Sequence, residues 1–156
     1  MALIEKLEKL KKLSDQYEEK DWLMYKKIWK ESVSKLEKTI TSKWFNDYKV
    51  KGLMTFETFP VKRIESFIGE YLTSILEITI SENKFLVLEP VSTVTAEYDG
   101  KLEFYMRGNI YNKVSILRKL INNQEPEWLI AKSYNQNEYQ KLNKPQLEKL
   151  IEEWLQ

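Results

Sequence analysis

No glycine or proline occurs before residue 52, and this absence constrains the fold more than any other feature of the chain. Within that stretch Trp22, Tyr25, Trp29, Val33, Leu36 and Ile40 recur at spacings of three and four. That period places them on one stripe of an amphipathic helix, with polar residues on the opposite face. A stripe this aromatic has to be buried, and it predicts a long helix lying on a sheet. A shorter stripe, Leu3, Leu7 and Leu10, precedes it. Ser14 and Asp15 separate the two, and Asp15 with Glu18 has the pattern of a capping box that restarts a helix. The expectation is one long helix with a weak point near Ser14, or two helices. Residues 1–13 form a candidate protruding extension and 15–42 the main helix. Leu3, Leu7 and Leu10 are a candidate self-association stripe, too short to define a coiled coil.

From residue 53 the texture becomes strand-like. "LMTFETF" alternates, and Pro60 confines it to an edge or a strand end. Residues 61–72 fit either strand or helix. "YLTSILEITI" and "KFLVLEP" read as strands separated by a turn at "SENK". Residues 110–121 are again ambiguous between strand and helix. "EWLIAKSY" reads as the last strand, followed by a polar irregular stretch. Asn143, with Pro145 two residues on, opens a C-terminal helix carrying Leu147, Leu150, Ile151, Trp154 and Leu155 on one face. The expected fold is α+β, with a single domain over 1–156. It comprises a long N-terminal amphipathic helix (one or two pieces), an antiparallel meander of about six strands over 53–134, and a short helix over 143–155.

Between two alternating runs lies Asp99-Gly100, a hairpin signal. A two-residue turn would mix apolar and charged residues on both faces. A three-residue loop, Tyr98-Asp99-Gly100, sorts them: Glu97 opposes Lys101, Ala96 opposes Leu102, Val94 opposes Phe104 and Thr93 opposes Tyr105. This register puts Gly100 at positive φ and sends Leu102, Phe104 and Met106 inward. Glu97, Lys101, Glu103, Tyr105 and Arg107 then form a polar outer face and a candidate protein-binding surface.

Composition narrows the chemistry. The chain has no histidine and no cysteine, which removes imidazole acid–base catalysis, Ser-His-Asp and Cys-His nucleophile systems, disulfides and the usual zinc ligands. Four scattered glycines build no phosphate-binding loop. Asp99, Glu103 and Lys101 do not match the spacing of carboxylate metal sites, so no metal or cofactor is expected. No apolar run approaches the roughly 20 residues of a membrane-spanning helix. Net charge is +1. The first 51 residues carry 13 Lys/Arg against 9 Asp/Glu, an excess that reads first as a solvated helical face.

The function expected from these features is a non-catalytic, cytoplasmic protein-binding module of accessory, inhibitor or immunity-like type, acting through the polar sheet face, with another protein as partner. The first alternative is a small-molecule pocket between a curved sheet and the aromatic helix, lined by Trp22, Tyr25 and Trp29. The second is nucleic-acid binding through residues 43–51, where Lys43, Trp44, Phe45, Tyr48, Lys49 and Lys51 mix aromatics with cations.

Overall fold

In the computed structural model the chain is described over residues 2–18, 22–66, 68–93, 98–109, 112–120, 126–132 and 139–156. Helix α1 spans Leu3–Glu18 and α2 spans Trp22–Lys38, followed by a π-helical segment Thr39–Trp44 and a short α3, Asn46–Val50. The strands are β1 (Thr55–Glu65), β2 (Gly69–Ser81), β3 (Lys84–Ser92), β4 (Lys101–Met106), β5 (Val114–Leu120), β6 (Pro126–Lys132) and β7 (Gln140–Lys141). Helix α4, Lys144–Trp154, closes the chain. The seven strands pair antiparallel in sequence order, so the sheet is a simple meander with β1 and β7 at its edges.

The α+β layout agrees with expectation; several details correct it. Helix α1 runs straight through Ser14 and Asp15, because serine and aspartate are only mildly unfavourable inside a helix and do not by themselves break one. Residues 61–65 and 69–72 are strand, and Pro60 sits within β1, an edge strand where its missing N–H costs no ladder bond. The ambiguous stretch after residue 112 is β5. The seventh strand, β7, comes from the end of the segment read as irregular.

The hairpin register is also corrected. Lys101 pairs with Ser92, Leu102 with Pro90, Phe104 with Leu88 and Tyr105 with Val87, and β5 flanks β4 on the other side. Both edges of β4 are occupied, and Tyr105 faces Val87 where Thr93 was expected; Val94, Ala96 and Glu97 of the expected register lie outside the described residues. The run that pairs with β4, Leu86-Val87-Leu88, is apolar and buried, and its burial favours that pairing. The face assignment on β4 survives the change of partner: Leu102, Phe104 and Met106 are buried, while Lys101, Glu103 and Tyr105 are half-buried on the other side.

One face of the sheet carries the core. Leu76, Ile78, Leu86, Leu88, Leu102, Phe104, Ile116 and Ile130 meet Trp29, Val33 and Leu36 of α2, Ile40 of the π segment, Phe45, and Leu147, Leu150 and Ile151 of α4. Asn143 caps α4 reciprocally with Gln146, its side chain accepting from the Gln146 N–H at 3.0 Å while the Gln146 side chain accepts from the Asn143 N–H at 3.2 Å. Among the described residues helix α1 adds nothing to this cluster: Leu3, Ile4, Leu7 and Leu10 are all more than half exposed.

The π segment has a local cause. Thr39 and Thr41 donate their hydroxyls to the carbonyls of Lys35 and Glu37, each at 2.9 Å, which competes with regular α-helical bonding. The widened turn closes with the Phe45 N–H donating to the Ile40 carbonyl at 2.8 Å. In a regular α-helix residues five apart point about 140° away from each other. The π turn brings Ile40 and Phe45 to the same side, and both are fully buried.

Gly100 holds the positive φ expected of it, +144°, for a different reason. Tyr98 and Asp99 are bends in the connection between β3 and β4, and Gly100 immediately precedes β4. The Asp99 N–H donates to the Arg118 carbonyl and the Arg118 N–H donates to the Gly100 carbonyl, both at 2.9 Å, which extends β4 along β5. A Cβ on Gly100 would fall 2.2 Å from the Trp29 ring. Gly100→Ala is therefore expected to cost roughly 2–5 kcal/mol through overpacking and backbone strain. In a Trp29→Leu background, where the ring is gone, the same substitution should cost far less. Urea unfolding of the four proteins in this double-mutant cycle measures the difference; equal costs in both backgrounds would refute the contact as the cause.

Candidate functional site

The outer face of the sheet brings together Lys101, Glu103 and Tyr105, with Arg107 exposed beyond the end of β4; Glu97 lies outside the described residues. Two of these groups, Tyr105 and Arg107, are engaged with neighbours in the chain. The Tyr105 hydroxyl donates to Glu89 Oε1 at 2.9 Å, and the Lys113 ammonium stands 4.4 Å from the Tyr105 ring centre. Arg63 donates to the Pro90 carbonyl at 3.2 Å and to Glu89 Oε2 at 3.4 Å. Arg107 pairs with Glu77 and lies over the Phe85 ring. Burial first, then the Glu89 carboxylate that accepts from it, push the Tyr105 hydroxyl up to about 12, so it stays a neutral donor. Val87, Leu117 and Ala131 are buried and stand outside the main core cluster. On the outer face Tyr105 and Arg107 are thus engaged within the chain, beside buried apolar residues.

The aromatic helix places its candidate residues differently. Trp22 and Tyr25 are half-buried, their rings edge-on with centres 5.4 Å apart. Trp29 is fully buried. The cation resting on these rings belongs to the chain itself. The fully buried Arg118 guanidinium lies 4.7 Å from the Trp29 ring centre and 5.6 Å from that of Tyr25. Its Nε donates to the Asp99 carbonyl at 2.7 Å and its Nη1 to Ser32 Oγ at 3.0 Å. The Tyr25 hydroxyl donates in a shared bond to the carbonyls of Thr93, 3.1 Å away, and Asp99, 3.3 Å away. Burial lowers the Arg118 pKa, opposed by Tyr25 and the Asp99 carboxylate.

Residues 43–51 do not act as one surface. Phe45 is fully buried, and the Tyr48 hydroxyl donates to Glu148 on α4. Lys49 and Lys51 are exposed on and beyond α3. Lys43 and Trp44 instead turn into an open groove of about 920 Å³ between the helical layer and the β6–β7 edge. Lys35, Lys38, Thr39 and Ser42 form a stripe along its helical wall, at the spacing of successive turns. Trp44 and Trp128, both half-buried, stand on opposite walls. Glu127 borders the groove, but strand alternation turns its side chain to the face opposite Trp128. Lys141 and Leu142 close the far rim. None of Lys35, Lys38 or Lys43 makes an ion pair among the described residues.

This groove was only partly visible in the sequence. Lys43 and Trp44 were singled out, and the cationic excess of the first 51 residues was the signal for Lys35 and Lys38. Trp128 arrives from more than eighty residues away, and no local pattern links it to them. Among the described residues, no group of three or more acidic, histidine or cysteine side chains gathers as a metal site, and no helix is long and apolar enough to cross a membrane.

The arrangement around Arg118 is testable through stability. Lysine keeps the charge but loses the planar fork and the fit to two rings. Arg118→Lys is expected to cost roughly 1.5–3 kcal/mol, in the range of a hydrogen bond to a charged group. A loss under about 0.5 kcal/mol in chemical denaturation, the ordinary scale of a surface substitution, would show that the fork contributes little. Comparison of the chain with the profiles of known protein families, with curated proteins and with solved structures finds no match, so its function has to be read from these residues alone.

Proposed function

We propose that the protein is a non-catalytic binding module that captures an acidic segment of a partner protein in the groove between the π segment and the β6–β7 edge. The carrying observation is three lysines, Lys35, Lys38 and Lys43, without an ion pair among the described residues, in a groove also lined by two half-buried tryptophans, Trp44 and Trp128. Tryptophan is enriched at binding hot spots, because a partner desolvates a large rigid surface there at little entropic cost. The flanking ammonium groups favour carboxylates and steer their approach. The π segment supports this reading, since such widened turns recur at functional positions. The sheet's outer face is a weaker candidate: binding there would compete with the Tyr105–Glu89 and Arg107–Glu77 contacts already made.

A nucleic-acid strand would need a row of aromatic faces on which successive bases stack. The burial of Phe45 and the Tyr48–Glu148 hydrogen bond remove two of the three aromatics proposed for it. A cysteine-free chain suits a reducing compartment, and the proposed setting is the cytoplasm.

The test is binding of a glutamate-rich peptide with one central aromatic residue, followed by tryptophan fluorescence. Affinity should fall with added salt. The charge reversals Lys35→Glu and Lys43→Glu, and Trp44→Ala, should each weaken it by about tenfold, or roughly 1.4 kcal/mol. Tyr105→Ala and Arg107→Ala should leave it unchanged. Loss of binding only in the Tyr105 and Arg107 variants would move the site to the outer sheet face. Preference for a single-stranded oligonucleotide over the peptide would overturn the proposal.

A further inference from the structure

A second cavity flanks α2 on the side away from the lysine groove. It measures about 360 Å³ and lies between the helix and the β1–β2 edge. Ser34, Glu37, Lys38 and Thr41 line its helical wall, again at the spacing of successive turns; Phe56, Thr58, Ser74 and Leu76 come from the sheet. Its chemistry is set by Glu37, which is only 5% exposed. Oε1 accepts from the Ser74 hydroxyl at 2.6 Å, and Oε2 has no hydrogen-bond partner among the described residues. Burial raises the Glu37 pKa, against the smaller opposing effect of the Ser74 bond. A buried carboxyl oxygen without a partner is costly enough that structures seldom leave one unexplained.

We propose that this cavity binds a small, uncharged polyhydroxylated molecule, a monosaccharide or polyol, through Glu37 and the hydroxyls around it. Three observations select that class. A ligand hydroxyl can donate to an ionised Glu37 or accept from a protonated one, so it satisfies the orphan oxygen in either state; an ammonium group does so only in the first. Lys38 at the mouth supplies a positive charge that disfavours a cation. Ser34, Thr41, Thr58 and Ser74 set hydroxyls around an apolar floor of Phe56 and Leu76, which suits a ring with polar edges and C–H faces. Glu57 borders the cavity, but alternation turns its side chain to the opposite face from Phe56 and Thr58, leaving Glu37 as the carboxylate of the cavity wall among the described residues. The volume is at the small end of ligand pockets, which run from roughly 300 to 1,000 Å³, and fits one ring better than an oligosaccharide.

Amide chemical-shift titration of the full-length protein tests this, with glucose and glycerol as probes and methylammonium as the cationic control. Glucose should shift the amides of Ser34, Glu37, Thr41 and Ser74 with an affinity of about millimolar order. Glu37→Leu should lose at least about tenfold in that affinity while keeping a cooperative thermal transition, and Ser74→Ala should lose less. Because Glu37→Leu fills the same space with apolar atoms, a fold failure is not expected; if it occurs, Glu37→Gln, which should retain measurable binding, replaces it. Absence of shifts at these amides with either polyol up to high millimolar concentration, unchanged affinity in Glu37→Leu, or preferential binding of methylammonium would each overturn the proposal.

Discussion

Trp29 and Gly100 approach each other so closely that no other residue fits at position 100, and much of the buried arrangement is organised around that contact. Gly100 puts backbone against the indole, and the same backbone carries the β4–β5 ladder onward through its bonds to Arg118. Arg118 then lies over the ring and ties the sheet to the helix through Ser32. One glycine thereby sets how near α2 can come to the sheet. A helix held away by a side chain would lose the contacts of Val33, Leu36 and Ile40 as well, since a close-packed interface cannot fill a gap at one end only.

The same geometry explains why the aromatic stripe is core. Sequence periodicity correctly put Trp29, Val33, Leu36 and Ile40 on one face, because a 3.6-residue repeat is a local property. It could not show that the rings of Trp29 and Tyr25 would be occupied by Arg118, which lies more than eighty positions downstream. The hairpin shows a similar limit from the other direction. The inward and outward faces of β4 were legible, since alternation belongs to the strand itself. Its partner was not, because two upstream segments competed for the same edge. The apolar one, Leu86 to Leu88, pairs with β4 and is buried, a contribution that turn chemistry does not register. Asp99-Gly100 looks like a tight turn in isolation, and its backbone bonds instead to Arg118 at the end of the β4–β5 pairing.

Helix α2 and the π segment divide the open ends of the interface into two sites of opposite character. Residues 35, 39 and 42 border one cavity, 34, 37 and 41 the other, and Lys38 lies between them and borders both. The first stripe offers ammonium groups beside indole; the second offers hydroxyls around a buried carboxylate. A regular α-helix would also present two such stripes. The π turn adds the position of Trp44, which it sends toward the lysine groove while keeping Ile40 and Phe45 together in the core. Without the widened turn, one of those two anchors would point out of the core and the end of the helical layer would lose its attachment.

That coupling links specificity to stability. Thr39 and Thr41 loosen the regular helix through their hydroxyl bonds to the preceding turn, and each lies beside a cavity, Thr39 by the lysine groove and Thr41 by the carboxylate site. Glu37 sits at the centre of the arrangement, its carbonyl accepting from Thr41 while its side chain leaves one oxygen unsatisfied. A protein selected only for stability would place an apolar residue at position 37, as the buried neighbours Val33, Leu36 and Ile40 illustrate. A buried carboxylate bordering an open cavity is instead the kind of local cost that natural sequences keep where a ligand offsets it.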